Sequence, residues 1–336
     1  MLNVTLFTRK NCSPCNEVKQ ELGRLQGKYP HRLVEVDIDS DDVLRAKYGT
    51  QVPVLEAGPY TLKAPITSQS LQMTLGAAID RKTQLEQVGD KEYQMRLAKG
   101  QRVSFGDRLS LGIAKKYLLF LNLFILLYGG LPFMAPVFMN AGLEMPARAI
   151  YRIYKPLCHQ FGFRSFFLFG EQTFYPLEQA GLTGLKNFEQ VSGIPDLDNP
   201  YSSTRLEARQ YVGEEGVGFK VALCERDIAI YASILAFGLL FGSTGRRIKS
   251  LHWTIWLAIG LVPISLDGFS QLFSQFNWDW LASIVPYRES TPFLRIMTGA
   301  LFGFTTAWFA YPGIEESMNE TRQYYIKKFA VHQASS

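Results

Sequence analysis

The chain has 336 residues, 47% of them hydrophobic and 19% charged, and carries a net charge of +5 at neutral pH. That length admits two domains. So small a positive balance, carried by basic residues beside apolar runs, excludes nucleic acid as a partner and points to a lipid bilayer. Four cysteines are too few for a disulfide scaffold.

In chain order, Leu2–Phe7 reads as a short apolar strand, and Cys15–Tyr29 carries Val18, Leu22 and Leu25 at helical spacing. His31–Ile38 sets Leu33, Val34, Val36 and Ile38 against Arg32, Glu35 and Asp37, a strand pattern. Ser40 predicts an N-cap for a short helix through Tyr48, closed by Gly49. Strands are expected at Val52–Leu55 and Tyr60–Lys63, and a last helix over Thr67–Ile79. The order βαβαββα is that of a thioredoxin-like α/β domain, assigned to residues 1–82. The opening residues MLNVTLFTRK lack the basic, then apolar, pattern of a secretory leader, so this domain is expected in the cytoplasm.

Residues 83–116 are polar and basic and are expected to be a linker with an interfacial helix near Phe105–Lys116. An α-helical transmembrane domain of about four spans is expected over 117–313, followed by a cytoplasmic tail, 314–336. Tyr117–Met139 is apolar throughout and long enough to cross roughly 30 Å of hydrocarbon. Ile228–Phe241, Leu251–Leu266 and Ile296–Tyr311 reach spanning length with their flanks. Lys99, Arg102, Arg108, Lys115 and Lys116 precede the first span, Arg246, Arg247 and Lys249 lie between the second and third, and Arg322, Lys327 and Lys328 follow the fourth. The positive-inside rule then puts both termini in the cytoplasm and segment 140–225 on the outer face. That segment holds five phenylalanines between Phe161 and Phe169 and is expected to lie along the membrane surface.

Cys12-Ser13-Pro14-Cys15 follows a strand and opens a helix. At that place the helix N-terminus stabilises a thiolate and lowers its pKa, making Cys12 the attacking nucleophile and Cys15 the resolving thiol. Lys10 and Arg9 add positive charge, and Pro14 starts the helix without losing a useful N–H. Pro53, opening the third strand, is expected to be cis and to lie beside the nucleophile. Half of a zinc site is the competing reading of the cysteine pair, but this domain holds no second Cys or His pair.

Phe7-Thr8-Arg9-Lys10-Asn11-Cys12-Ser13-Pro14-Cys15, Val34-Glu35-Val36-Asp37-Ile38-Asp39 and Val52-Pro53-Val54-Leu55 resemble the small glutaredoxin-like proteins over residues 2–80. The resemblance implies thiol–disulfide exchange by Cys12 and Cys15 with a thiol or disulfide protein, and glutathione as a cofactor. Glutaredoxins usually grip glutathione with a Gly-Gly and an acidic helix start. Here the chain reads Ala57-Gly58-Pro59 and Ala64-Pro65-Ile66-Thr67-Ser68 instead.

Polar residues cluster at the ends of the spans: Cys158-His159-Gln160, Arg164-Ser165, Cys224-Glu225-Arg226-Asp227, Asp267-Gly268, Arg288-Glu289-Ser290 and Arg295. Charges at such depth face partners or a wet cavity, and Arg226, Asp227, Asp267 and Arg295 are expected to pair. These motifs, with Leu294-Arg295 and Thr298-Gly299, resemble an uncharacterised prokaryotic family of membrane proteins over about 150–313. The resemblance implies a multi-pass protein of the prokaryotic inner membrane and brings no activity. For Cys158 and Cys224 three readings stand: a disulfide, a metal site with His159 and Asp227, or two packed thiols.

The sequence thus predicts a membrane-anchored thiol–disulfide oxidoreductase. The alternative is a transporter or membrane-complex subunit with the first domain as redox sensor or docking module. No cysteine falls within a span or near its inner end, so electron transfer between the two cysteine pairs would need a carrier such as a quinone.

Overall fold

The computed structural model describes residues 1–89, 95, 100, 102–197, 199, 202–275 and 287–334. Lys99 and most of the middle of the expected linker lie outside them. The chain divides into two units, Met1–Tyr117 with Glu316–Ser336, and Leu118–Glu315.

In the first unit the strands are β1 (Leu2–Thr8), β2 (His31–Asp37), β3 (Val54–Ala57) and β4 (Tyr60–Lys63), in the order β2-β1-β3-β4. β1 pairs parallel with β2 and antiparallel with β3. Being central and covered on both faces, β1 is buried almost throughout, Thr5 and Thr8 included, with Val4 and Leu6 fully buried. Helices α1 (Ser13–Leu25) and α3 (Ser68–Gln87) place Val18, Leu22, Leu71 and Leu75 against one face of the sheet. On the other face Phe7, Val36, Ile38 and Val54 meet Leu44 and Tyr48 of α2 (Asp42–Tyr48), with Ile326 and Ala330 of the C-terminal segment. This is a mixed α/β sheet of the thioredoxin kind, as the element order predicts.

Two boundaries differ from expectation. Asp41, not Ser40, caps α2, its carboxylate accepting from the Val43 N–H at 3.0 Å. α3 runs to Gln87 because Thr67 and Ser70 close its start reciprocally and no Gly or Pro interrupts it after Gly76.

The expected interfacial helix and first span are one helix, α4 (Phe105–Gly130). Ser104 and Asp107 cap its start by exchanging backbone-to-side-chain bonds of 2.8 and 3.2 Å, and nothing breaks it before Gly129-Gly130-Leu131-Pro132. After that break α5 (Met134–Asn140) continues the apolar run. Among the described residues four helical segments are long and apolar enough to cross a membrane: Phe105–Asn140, Glu225–Ser243, Trp253–Ser274 and Pro292–Gln333. α4 exposes Leu119, Phe120, Leu123, Phe124 and Leu127, the surface a helix presents to lipid.

The later spans are α9 (Glu225–Ser243), α10 (Trp253–Ser274) and α11 (Pro292–Gln333), and α10 contains a π-helical turn at Trp256–Leu261. The third outruns its expected end at Leu266 because Asp267 is neutralised by partners far away in sequence. The fourth continues helically through Pro312, so residues 314–333, expected as a tail, are helix. Close packing of α11 on α9 requires Gly299 and Gly303, where a Cβ would come within 2.7 Å of the Arg226 carbonyl oxygen and 2.3 Å of that of Ile230.

Segment 140–225 forms a core of its own rather than a sheath of exposed aromatics. α6 (Glu144–Tyr154) buries Ala147, Ile150, Tyr151 and Tyr154 at helical spacing. β5 (Ser165–Leu168), β6 (Gly213–Glu214) and β7 (Gly218–Cys224) form an antiparallel sheet, with short helices α7 (Phe188–Ser192) and α8 (Thr204–Gln210) between β5 and β6. Phe163 and Phe167 point inward to meet Tyr175, Leu177, Phe188 and Leu197. Sequestering these rings against one another removes them from water without lipid.

Candidate functional site

β1 ends at Thr8, and Asn11, at φ 59°, turns the chain so that Cys12 becomes the N-cap of α1. The Cys15 N–H donates to Cys12 Sγ at 3.3 Å, the two cysteines are joined as a disulfide, and the first turn of α1 carries no acidic residue. The helix end therefore acts on the Cys12 sulfur without a competing carboxylate. Cys12 is half-buried and Cys15 completely buried, the asymmetry that separates an attacking from a resolving thiol.

Arg9 is committed elsewhere, to Asp39 at 3.2 Å and to the Gly49 carbonyl at 3.3 Å. Lys10 is exposed and has no ion-pair partner among the described residues, so it is the mobile cation beside the motif. The Val52-Pro53 bond is cis. Pro53 lines a groove of about 360 Å³ with Pro14, Pro65, Glu17, Glu21 and Arg24.

The second unit gathers the other predicted residues around a cavity of about 430 Å³ lined by Cys158, His159, Arg164, Cys224, Arg226, Asp227 and Arg295 among others. Asp267 does pair with Arg226, as expected, and also accepts from Arg288 at 2.9 Å and from Ser290 at 2.9 and 2.8 Å. Arg295 instead pairs with Glu289, which also takes Arg164 bidentately at 2.8 and 2.9 Å. Burial would raise the Glu289 carboxyl, but Arg164 and Arg295 outweigh it and hold its pKa below the ordinary range. Among the described residues Asp227 pairs with no arginine. Its carboxylate lies with the Cys158 and Cys224 sulfurs, all three within 4.8 Å of one another. His159 is outside that group, exposed, with its ring stacked 5.7 Å from Phe161.

The two thiols act as a pair. A hydrogen bond from Cys224 lowers the Cys158 pKa, and the same bond with burial raises that of Cys224. Their placement depends on Gln160, which the sequence motif contains, and on Lys220, which no motif marks. Gln160 is buried and donates to the carbonyls of Tyr151 and Ala222 at 3.0 and 2.9 Å. Lys220, 1% exposed on β7, donates to the carbonyls of Gln160 and Arg209 at 2.8 and 2.7 Å, and burial pushes its pKa down to about 7. A single lysine inside the otherwise apolar strand GFKVALC is the signal that could have found it.

Residues 3–77 match the family described as Glutaredoxin-like domain. The first domain is glutaredoxin-like. Residues 217–309 match the family described as Predicted membrane protein (DUF2085). An uncharacterised protein of Methanocaldococcus jannaschii is 24% identical over 207 residues, covering 59% of this chain and 92% of that protein. No solved structure matches. A glutaredoxin-like domain fused to a membrane domain with four spans makes this a redox-related, multi-pass membrane protein associated with the bilayer.

The glutaredoxin-like domain does not fit glutathione. Its groove carries Glu17 and Glu21 on one wall, and its single lining cation, Arg24, faces Glu21 at 3.4 Å. At the start of α3 the Ser70 N–H is taken by Thr67, and the Ser68 hydroxyl donates to Glu21 at 2.5 Å. A tripeptide with two carboxylates would meet acid where it needs donors.

Proposed function

We propose that the chain is a membrane-anchored thiol–disulfide oxidoreductase whose Cys12/Cys15 pair works at the cytoplasmic face of a prokaryotic inner membrane, with both termini on that side. In this reading residues 1–82 are the redox domain, 83–116 the connection, 117–313 the membrane domain, with 140–225 on the outer face, and 314–336 a cytoplasmic extension. The observation that carries it is a half-exposed Cys12 at a helix N-terminus, with a buried Cys15 bonded to it and the cis-Pro53 groove alongside.

In the reduced form the Cys12 thiolate attacks one sulfur of a partner protein's disulfide. The Cys12–partner bond forms, the partner's S–S bond breaks, and its second sulfur leaves as thiolate and takes a proton from water. Cys15 then gives up its proton and attacks Cys12 Sγ, closing the Cys12–Cys15 bond and releasing the partner's first sulfur as thiolate. Two electrons pass from the Cys12/Cys15 dithiol to the partner, and a protein dithiol of lower potential must restore them. Lys10 stabilises the attacking thiolate, and Pro53 leaves an unpaired backbone edge for the partner's extended chain.

The test is thiol trapping of the full chain in native membranes, after equilibration in dithiol/disulfide buffers of graded potential. One two-electron transition that vanishes in Cys12→Ser is expected, with a mixed disulfide accumulating in Cys15→Ser. Oxidation by a model protein disulfide is expected to outpace oxidation by glutathione disulfide at least tenfold. A pair that stays in one state across the range, or no trapped partner, overturns the reading.

One observation favours the second reading, a transporter or membrane-complex subunit. Arg164, Arg226 and Arg295 line the same cavity beside Asp227, an arrangement suited to a polar substrate. Loss of transport or assembly in Asp267→Asn, with Cys12→Ser harmless, would mark it as the main role.

A further inference from the structure

We propose that Cys158, Cys224 and Asp227 bind one thiophilic divalent cation of the Zn²⁺ class, leaving a coordination position open to the adjoining cavity. The three donor atoms lie within 4.8 Å of one another. Around zinc, donors at about 2.0–2.3 Å from the ion sit roughly 3.5 Å apart, so side-chain rotations on an unmoved backbone close the site.

The backbone is already fixed by other bonds. Gln160 pins the loop that carries Cys158 to α6 and β7, and Lys220 holds the same loop through the Gln160 carbonyl. Cys224 is the N-cap of α9, and Asp227 lies in that helix's first turn. Two donors thus come from one helix start and the third from a loop bonded to the strand leading into it.

Charge separates this reading from the other two. Asp227 shares its cavity with three arginines, yet all of them are bound to other acids: Arg164 and Arg295 to Glu289, Arg295 also to Glu225 at 4.0 Å, and Arg226 to Asp267. Among the described residues Asp227 has no cation. The start of α9 gives Asp227 only a partial positive charge. A carboxylate against two thiols in a sheltered pocket therefore stays undercompensated whether the thiols merely pack or are joined as a disulfide, because neither arrangement supplies a full positive charge. A divalent cation does. Two thiolates, one carboxylate and M²⁺ leave a net charge of −1, which the positive end of α9 offsets in part. On binding, each thiol releases its proton to water.

The S₂O donor set selects Zn²⁺, Co²⁺ or Cd²⁺ over Mg²⁺ and Ca²⁺. Three protein ligands on the wall of a cavity also lined by Gln271 and Gln275 are the open type of site, where a water or a substrate completes the shell.

The experiment uses the full chain in detergent with Cys12→Ser and Cys15→Ser, so that Cys158 and Cys224 are its only thiols. Co²⁺ titration is expected to give one ion per chain, with thiolate-to-cobalt charge-transfer and tetrahedral ligand-field bands that Zn²⁺ displaces. Asp227→Asn is expected to weaken binding at least tenfold, and Cys158→Ser or Cys224→Ser to abolish the charge-transfer band. His159→Ala is expected to leave affinity unchanged. Should the serine variants not fold, Asp227→Cys must strengthen the charge-transfer band and tighten binding. Absence of these bands, indifference to Asp227→Asn, or a Cys158–Cys224 disulfide in protein extracted under thiol-blocking conditions overturns the proposal. Because Cys12 and Cys15 are absent from this protein, its failure leaves the thiol-exchange reading untouched.

Discussion

Asp267 lies on a membrane-spanning helix and is 6% exposed, yet it is neutralised twice over, by Arg226 and Arg288, and the Ser290 hydroxyl donates its one proton to the same carboxylate. Removing one member of a buried ion pair leaves the other desolvated and uncompensated. Water reaching Arg288, whose side chain is 36% exposed, keeps the cost of Asp267→Asn to about 2–3 kcal/mol. Arg226→Gln in the same chain should return part of this, and a double-mutant cycle on detergent melting should give a coupling of about 1 kcal/mol or more. Lys220 makes a prediction in pH. Its ordinary value is 10.5 and its folded value about 7, lowered by burial; Arg209 lowers it further and Cys158 opposes, while Arg148, Arg152 and Lys155 line a second cavity together with Lys220. Between those values the unfolded chain holds a proton that the folded chain has lost, so stability rises with pH from about 7 towards 10. The neutral amine keeps two N–H groups for its two carbonyls. Lys220→Met should remove this rise, on the order of 4 kcal/mol across the window, in melting temperatures recorded at stepped pH.

At the scale of elements, α11 approaches α9 only because Gly303 has no side chain: a Cβ there would sit 2.3 Å from both the Ile230 carbonyl oxygen and Ser233 Oγ. Gly303→Val should force the helices apart and cost about 2–3 kcal/mol or more, read as a lower detergent melting point, whereas Gly313→Ala, where a Cβ meets nothing within 4 Å, should be neutral. The same helices explain what sequence made legible. The βαβαββα order was readable because each strand is short and carries apolar or alternating residues between turn or helix signals, and the Cys12–Cys15 pair because its chemistry is local to one helix start. Span ends were not, because Asp267 and Arg295 look like terminators until Arg226, Arg288 and Glu289 arrive from elsewhere to neutralise them. The sheet of segment 140–225 was hidden for another reason. β6 is two residues long and its chain direction depends on Gly213, Gly216 and Gly218 at positive φ, which leaves no alternating pattern. Within the cavity, grouping Cys158 with Cys224 was within reach of the motifs. Assigning Arg295 to Glu289 rather than Asp267 required the fold.

At the scale of the whole molecule, one unit is built from the two ends of the chain. Ile326 and Ala330 cover the face of the glutaredoxin-like sheet that α1 and α3 leave open, against Phe7, Ile38 and Val54. Around them Arg322 reaches the α2 cap Asp41 at 2.8 Å, Lys327 meets Glu56, and Lys47 reaches Gln323 at 2.7 Å. Asp41 is largely buried, so its pairing with Arg322 is shielded from water and competes with no solvent partner. A domain whose core is completed by a segment nearly 300 residues later cannot reach full stability until the last helix is made. Ending the chain at Glu315 should therefore expose the Phe7–Ile38–Val54 face and cost the domain about 3 kcal/mol or more in apolar burial and charged hydrogen bonds. Ile326→Asp should reproduce most of that loss, and Arg322→Ala about 1–2 kcal/mol of it. Hydrogen exchange of β1 and β2 in the full chain checks this, since both changes should raise exchange there while leaving α9 as slow as before. Unchanged protection of β1 and β2 after truncation would mean that the first 82 residues form a complete core by themselves, and the C-terminal segment would then be a passenger on a finished surface.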